Sequence, residues 1–321
     1  MATTTLETVS SDHGPRPEVL DHEATPAEVK IAAADGAEEA LTPRRSRALK
    51  KFLSNRPAIV GGLVVVFFVL VAIVAPLIAP YDPLATSFTA IRKAPSMVHW
   101  FGTDELGRDI LSRMAYGARA SLLAGVVSVA IAVIIGVPFG ILAGFFGGWT
   151  DMAISRVADA MLAIPFLILA IALAAFLGPS LTNAMIAIGL SGTPIFARLA
   201  RGQALSVKAE DYVEGARAIG LPNRWILIRY VFPNILPPLI VQGTLTVATA
   251  IIAEASLSFL GLGQQPPSPS WGSMLNTAKN FMNQAPWMSL FPGAAIFLLV
   301  LGFNLLGDGL RDALDPREVD G

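Results

Sequence analysis

Few residues in this chain have the type and spacing needed for chemistry. Glu254 is the one carboxylate clearly inside a long apolar stretch, whereas His13, His22 and His99 all lie outside such stretches. The chain has no cysteine, no HExxH pair and no GxxxxGK[ST] phosphate loop. We therefore expect no thiol nucleophile, no zinc-protease helix, no intramembrane histidine base and no P-loop ATP hydrolysis by this polypeptide.

The composition is typical of a protein that sits in lipid. The chain has 321 residues, of which 54% are hydrophobic and 15% charged, with a mean hydropathy of +0.60. Soluble domains carry about 25% charged residues, so much of this surface is expected to face the bilayer. The net charge of −1 gives no indication of a nucleic-acid partner, and we expect none.

The chain is predicted to divide into a tail and a membrane domain. Residues 1–43 are acidic and poor in large apolar residues, which predicts a disordered cytoplasmic tail. Residues 44–321 form the predicted transmembrane domain, which opens with a basic cluster before Pro57 that should anchor the cytoplasmic face. Uncharged runs predict six membrane-spanning helices, at about 57–79, 121–145, 158–177, 181–199, 236–260 and 289–307.

The basic residues favour a cytoplasmic position for both termini. The segments assigned inside carry 8, 1, 6 and 2 basic residues, and those assigned outside carry 5, 0 and 1. The first outer loop, with its five, departs from this trend, but the rule weakens as loops lengthen. The predicted fold class is an all-α polytopic membrane protein.

A polar insertion between the fourth and fifth spans is the feature best placed to meet a soluble partner. Residues 208–238 read KAEDYVEGARAIGLPNRWILIRYVFPNILPP. Ala209, Tyr212, Val213, Ala216 and Ile219 recur at the spacing of one helical face, and polar residues take the other faces. Gly220 followed by Pro222 is a helix stop signal, and a second short amphipathic segment follows over residues 223–232.

This insertion resembles the EAA loop of importer-type ABC permeases. Glu214, Gly215 and Ala216 take the first three places of that motif, Gly220 its glycine and Pro233 its proline. The chain departs from it at Gly215, Tyr230 and Phe232. The resemblance implies a cytoplasmic coupling helix that docks on an ATPase, with the contact assigned to Asp211, Glu214, Gly215, Ala216, Gly220 and Pro222.

Two further segments are similar to the C-type permease subunit of the dipeptide/oligopeptide ABC importer family. One is FGTDELGRDILSRMAYGARASL, residues 101–122, and the other is EASLSFLGLGQQPPSPSWG, residues 254–272. We expect the first to form an interfacial helix on the outer side, capped by Asp104 or Thr103. The outer-loop contacts assigned on this basis are Asp104, Arg108, Asp109, Arg113 and Trp271.

The family resemblance implies a type I ABC importer permease with no catalytic site and no cofactor or metal of its own. ATP and Mg²⁺ would be bound by two cytoplasmic ATPase domains. A second, different permease would complete the membrane path, and an extracytoplasmic binding protein would deliver di- or oligopeptides. The implied location is the bacterial cytoplasmic membrane. An importer of nickel or another solute would show nearly the same motifs, and an ATP-independent secondary transporter is the alternative from a different class.

Glu254 has two interpretations at this stage. If the fifth span starts near Leu236 on the inside, Glu254 lies about 27 Å along it, near the outer edge of the core. It either reaches water and caps local backbone, or it faces a path between two permeases, together with Ser256 and Ser258. In the second case its expected partner is Arg108 or Arg113, or the ammonium group of an arriving peptide.

Overall fold

A computed structural model of the protein describes residues 51–314, and within that range the chain is almost wholly helical. The only pairing of extended backbone among these residues is an isolated bridge between Thr103 and Asp109. The helices are α1 Arg56–Ile78, α2 Ile110–Phe146, α3 Gly148–Leu162, α4 Phe166–Leu177, α5 Leu181–Lys208, α6 Asp211–Ala218, α7 Asn223–Phe259, α8 Trp271–Ala278 and α9 Trp287–Leu314. The predicted tail 1–43 and most of the basic cluster lie outside the described residues.

The all-α prediction is confirmed, whereas the pattern of spans is less regular than predicted. Within residues 51–314, the helices α1, α2, α7 and α9 are long and apolar enough to cross a membrane. The predicted third span is not one straight helix: α3 and α4 meet at 91° across residues 163–165, and together they would make a fifth span. The predicted fourth span corresponds to α5, which has 28 residues but is not apolar enough to be counted with them, so residues 51–314 contain up to five such spans rather than six.

Two predicted helix boundaries are corrected by longer helices. The segment after Gly107 is not an interfacial helix, because it is the start of α2, and its residues Ile110, Met114 and Ala118 are buried in the core. Its cap is Asp109, whose carboxylate accepts the backbone N–H of Ser112 at 2.8 Å. The predicted short helix 223–232 is likewise continuous with the fifth span, through a π-helical turn at Leu227–Val231.

The core of the bundle is the contact between α2 and α5, where glycines let the two backbones touch. Built Cβ atoms at Gly136, Gly140 and Gly144 would lie 2.5, 2.3 and 2.6 Å from carbonyl oxygens of α5. These glycines recur every four residues, so they line one face of α2. Small residues at this spacing are the usual means by which helices approach closely in membranes. The pair α2–α5 is thus the scaffold from which α6 and the outer residues are positioned.

Candidate functional site

The helix α6 is held between α5 and α7 as a short polar element with a sharp stop. The backbone N–H of Gly220 donates to the carbonyl of Arg217 at 2.9 Å, and the N–H of Leu221 donates to that of Ala216 at 3.1 Å. These two bonds form a Schellman motif, with Gly220 at φ +79°. The predicted stop at Gly220 is confirmed, because the helix ends there with the glycine in the left-handed region. A residue with a side chain rarely adopts that conformation.

Most of the residues assigned to coupling lie on an open surface. Asp211, Glu214, Gly215, Gly220 and Pro222 are exposed, whereas Ala216 is buried. The predicted apolar face is only partly correct. Val213 and Ala216 pack inward as expected, but Tyr212 and Ile219 are exposed, Ile219 by 78%.

Exposed apolar side chains next to these acidic residues make the surface of α6 unusual for a solvated loop. Ile219, Trp225 and Ile228 are 78, 51 and 68% exposed. Exposed apolar groups rimmed by polar ones mark surfaces that contact another protein or the membrane. We name the exposed set Asp211, Tyr212, Glu214, Gly215, Ile219 and Trp225 the α6 surface.

The underside of α6 is attached to the end of α2. The guanidinium of Arg217 lies 5.1 Å from the ring centre of Phe145, and the ammonium of Lys208 lies 5.9 Å from the same ring. The rings of Tyr212 and Tyr230 are 6.3 Å apart, which links α6 to the start of α7. These ring contacts connect α6 with the end of α2 and the start of α7, and connect α5 with α2.

The outer-loop residues form one buried ionic cluster around the start of α2. Asp104 binds Arg108 at 2.6 Å and lies 3.4 Å from Arg113. Asp104 was expected to cap a helix, but it does not. Instead, its carboxylate accepts the N–H groups of Leu106 and Arg108 within its own turn. Arg113 also donates to the carbonyl of Pro83 at 3.0 Å, so the cluster fastens the outer loop to the bundle.

Two neighbours complete this outer cluster. Glu105 binds Arg108, but its second carboxylate oxygen is buried without a hydrogen-bond partner. Burial, together with the charge of Asp104, raises the pKa of Glu105 above its usual range. Asp109 also binds His99 at 3.0 Å, and the buried indole of Trp271 donates to the carbonyl of Met114 at 3.1 Å. These contacts support a structural role for the assigned outer residues.

Glu254 lies inside the chain rather than on a path. It is 0% exposed, and its carboxylate accepts hydrogen bonds from Ser258 at 2.6 Å and Ser121 at 3.2 Å. The prediction that Arg108 or Arg113 pairs with Glu254 is wrong, because both arginines pair with Asp104. The prediction that Glu254 faces a path between two chains is also wrong, since its own chain covers it completely. Ser256 points elsewhere and bonds the carbonyl of Ile252 in its own helix.

Sequence reasoning missed a group of ion pairs between α3 and α5. Asp151 binds Arg201 through both carboxylate oxygens, with one of the two distances 2.7 Å. Asp159 binds Arg198 at 2.6 Å. The available signal was that Asp159 and Arg198 mark the two ends of a long uncharged run, so that a hairpin folded at its middle brings them together. Among residues 51–314 no group of three or more metal-ligating side chains is present.

The chain is an all-α membrane bundle with a short exposed helix between two of its long helices. The family described as "Binding-protein-dependent transport system inner membrane component" matches residues 136–319, and "N-terminal TM domain of oligopeptide transport permease C" matches residues 44–95. The chain belongs to the family of binding-protein-dependent transport system inner membrane components, as its C-type permease subunit.

Named relatives and a solved structure agree with this assignment. The dipeptide transport system permease protein DppC of Alkalihalophilus pseudofirmus is 49% identical over 278 residues, 87% of this chain and 91% of that protein. The probable D,D-dipeptide transport system permease protein DdpC of Escherichia coli is 49% identical, over 81% and 87% of the two chains. A glutathione transport system permease protein, GsiD of Escherichia coli, is 47% identical over 84% and 89%. The MetNI methionine ABC transporter, in an inward-facing conformation, matches with a TM-score of 0.54 and 20% identity, over 64% of this chain and 98% of the other, and this shows the fold alone.

Proposed function

We propose that this chain is the membrane-spanning permease subunit of an ATP-driven importer of di- and oligopeptides. The observation that carries the proposal is the α6 surface, an exposed acidic and apolar face fixed by a Schellman stop between α5 and α7. The names of the relatives supply the substrate class, because dipeptides and glutathione are short peptides. The chain itself would carry out no catalysis.

The partners follow from the same surface. Two cytoplasmic ABC ATPase domains would bind ATP and Mg²⁺, and each would dock on one permease. Asp211, Glu214 and Gly215 would meet the ATPase directly, while Gly220 and Pro222 would fix the angle at which α6 is presented. A second, homologous but different permease would complete the path, and an extracytoplasmic binding protein would deliver the peptide.

The orientation proposed is that of a bacterial cytoplasmic membrane protein with both termini inside. Ser206, beside α6, and Ser268, between α7 and α8, are both exposed and would lie on opposite sides. Because the chain has no native cysteine, each serine can be replaced by cysteine and treated in intact cells with an impermeant thiol reagent. Labelling at position 268 and none at 206 is expected. The reverse pattern would contradict the orientation.

Reconstitution tests the function itself. The complete set of two permeases, two ATPases and binding protein is placed in proteoliposomes with ATP, and uptake of a radiolabelled dipeptide is measured. ATP-dependent uptake that requires the binding protein is expected. Uptake of Ni²⁺ but not of peptide would favour the related metal importer. Uptake without the ATPases would favour a secondary transporter.

A further inference from the structure

The end of the bundle opposite α6 carries three cations close together. The ammonium of Lys279 lies 5.0 Å from the ring centre of Phe259, which is the last residue of α7. The guanidinium of Arg92 lies 4.8 Å from the ring centre of Phe281. Lys279 and Phe281 are the two ends of one 3₁₀ turn, so both cations contact the same short region. Lys93 follows Arg92 in the chain and is exposed.

These cations form a surface separate from that of α6. Helix α7 begins just after the stop at Gly220 and runs for 37 residues to Phe259. At 1.5 Å per residue, its two ends are about 55 Å apart. A small contact at α6 therefore cannot also cover Lys279.

No carboxylate balances the three charges. Residues 83–103 and 255–307 contain no aspartate and no glutamate. Asp104 and Glu105, which come next in the chain, are bound to Arg108. Within residues 51–314 none of the three cations has a carboxylate partner. A positive surface of this kind attracts acidic partners and speeds their encounter.

The cations are positioned before any partner arrives. Arg92 is the one non-glycine residue of 51–314 with a positive φ, at +49°, a conformation that its surroundings impose. Its backbone N–H donates to the carbonyl of Asp104 at 3.0 Å. The turn that carries Lys279 is fixed by the buried Ala285, whose N–H donates to the carbonyl of Phe281 at 2.7 Å. Groups held in this way lose less freedom on binding.

The side chains beside Lys279 suit a protein partner better than a lipid surface. Met282 is 57% exposed, and Asn280, Asn283 and Gln284 are exposed, uncharged and able to form hydrogen bonds. Methionine and arginine are enriched in protein interfaces, which have polar rims. A segment that binds a lipid surface presents large apolar side chains such as Trp, Phe and Leu instead.

We propose that Arg92, Lys93, Lys279 and Met282 form a docking surface, the outer basic surface, for an acidic face of the extracytoplasmic binding protein. The cations steer that protein to the permease, and Met282 is covered when it docks. This inference rests on the proposed function, in which a binding protein arrives at the end opposite the ATPase.

Affinity for the binding protein tests the outer basic surface. The complete importer is placed in nanodiscs of phosphatidylcholine, and binding of the peptide-loaded binding protein is measured as the ionic strength is raised. Lys93→Glu and Lys279→Glu should each weaken binding about tenfold at low ionic strength, and the difference should shrink as salt screens the charges. Lys279→Arg keeps the charge and should bind as the unaltered chain does. Arg156→Glu, at an exposed cation of α3, is the matched control and should change nothing.

Three outcomes would overturn the inference. One is an unchanged affinity in both glutamate variants. Another is an equal loss in Arg156→Glu, which would show an effect of net charge alone. The third is a loss seen only when the nanodiscs contain phosphatidylglycerol, which would assign the cations to anionic lipid.

Peptide uptake by the unaltered importer separates this inference from the proposed function. Uptake that depends on the binding protein is measured alongside the affinities. Its absence would overturn the proposed function. Its presence, together with unchanged affinity in the two glutamate variants, would overturn this inference alone.

Discussion

Arg119 lies 2.7 Å, through its Nε, from the carbonyl oxygen of Ala72, one turn before Pro76. Pro76 has no N–H to donate, so it leaves that carbonyl without its usual helical partner. The arginine of α2 therefore replaces the missing backbone donor of α1. It also joins the C-terminal part of α1 to the N-terminal part of α2.

The first prediction follows from this replacement. Arg119→Met should lower the free energy of unfolding by about 1 kcal/mol, because a carbonyl loses its charged donor. In a Pro76→Ala background, residue 76 supplies its own N–H and the loss should become smaller. Thermal unfolding of the purified chain in detergent measures the cycle, with Lys93→Met as an exposed control in the outer loop. Equal losses in both backgrounds would contradict the account.

The second prediction concerns the buried carboxylate. Ser258 accepts the backbone N–H of Gln264 at 3.1 Å and donates to Glu254, which also accepts from Ser121. Glu254→Leu removes the acceptor and should cost about 1–3 kcal/mol, whereas Glu254→Gln keeps one oxygen and should cost less. Ser256→Ala is the control, since its hydroxyl bonds only its own helix.

Either of two outcomes would contradict this account of Glu254. One is equal unfolding midpoints for the leucine and glutamine variants. The other is a loss at Ser256→Ala as large as that at Glu254→Leu.

The third prediction tests the close contact of α2 with α5. A Cβ at Gly140 would lie 2.3 Å from the carbonyl of Ala197, so Gly140→Ala should force the helices apart and cost about 1–3 kcal/mol. Gly202→Ala has no atom within 4 Å of its new methyl group and should be neutral or stabilise by about 0.5–1 kcal/mol. Unfolding in detergent compares the two. A harmless Gly140→Ala would show that the contact is looser than described.

The fourth prediction is a pH dependence from Glu105. Burial raises its pKa above the ordinary value of 4.5, so the folded state binds its proton more tightly than the unfolded state does. Its contribution to stability is therefore full below about pH 4.5 and is lost as the pH rises through the raised pKa. Glu105→Gln removes this loss, so the gain in unfolding midpoint over the unaltered chain should be larger at pH 7 than at pH 4.5. Asp82→Asn, at an exposed carboxylate of the same loop, is the control. A gain independent of pH would contradict the assignment.

What the sequence could predict was decided by local patterns. The stop at Gly220 depends on one residue's conformational freedom and on the proline two residues later, so it could be read directly and the structure confirms it. The long apolar runs predicted α1 to within one residue at each end, whereas α9 continues seven residues beyond the predicted end of the sixth span. By contrast, Glu254 binds Ser121, 133 positions away, and Ser258, four positions further along its own helix. No sequence pattern indicates that these serines, rather than the arginines of the outer loop, are its partners.

The errors in helix boundaries have a related cause. Ser112 and Arg113 are polar, so the start of α2 resembled a surface helix, yet both are buried because Asp109 and Asp104 bind them. The bend between α3 and α4 was missed because residues 163–165 carry no charge, although Pro165 is itself a helix-breaking signal. The burial of these polar groups depends on how the whole bundle packs around them, and a hydropathy pattern does not contain it.

The central claim, that the α6 surface is where an ATPase drives this permease, is tested most directly by crosslinking at Gly215. This residue is exposed, and a side chain built on it meets no atom within 4 Å, so Gly215→Cys can carry a benzophenone maleimide without disturbing α6. In the complete importer, illumination should join this chain to the ATPase subunit. Ser268→Cys, which the proposed orientation puts on the opposite side of the membrane, should give no such product. A complex that still transports peptide but crosslinks to the ATPase at position 268, or at neither position, would contradict the account.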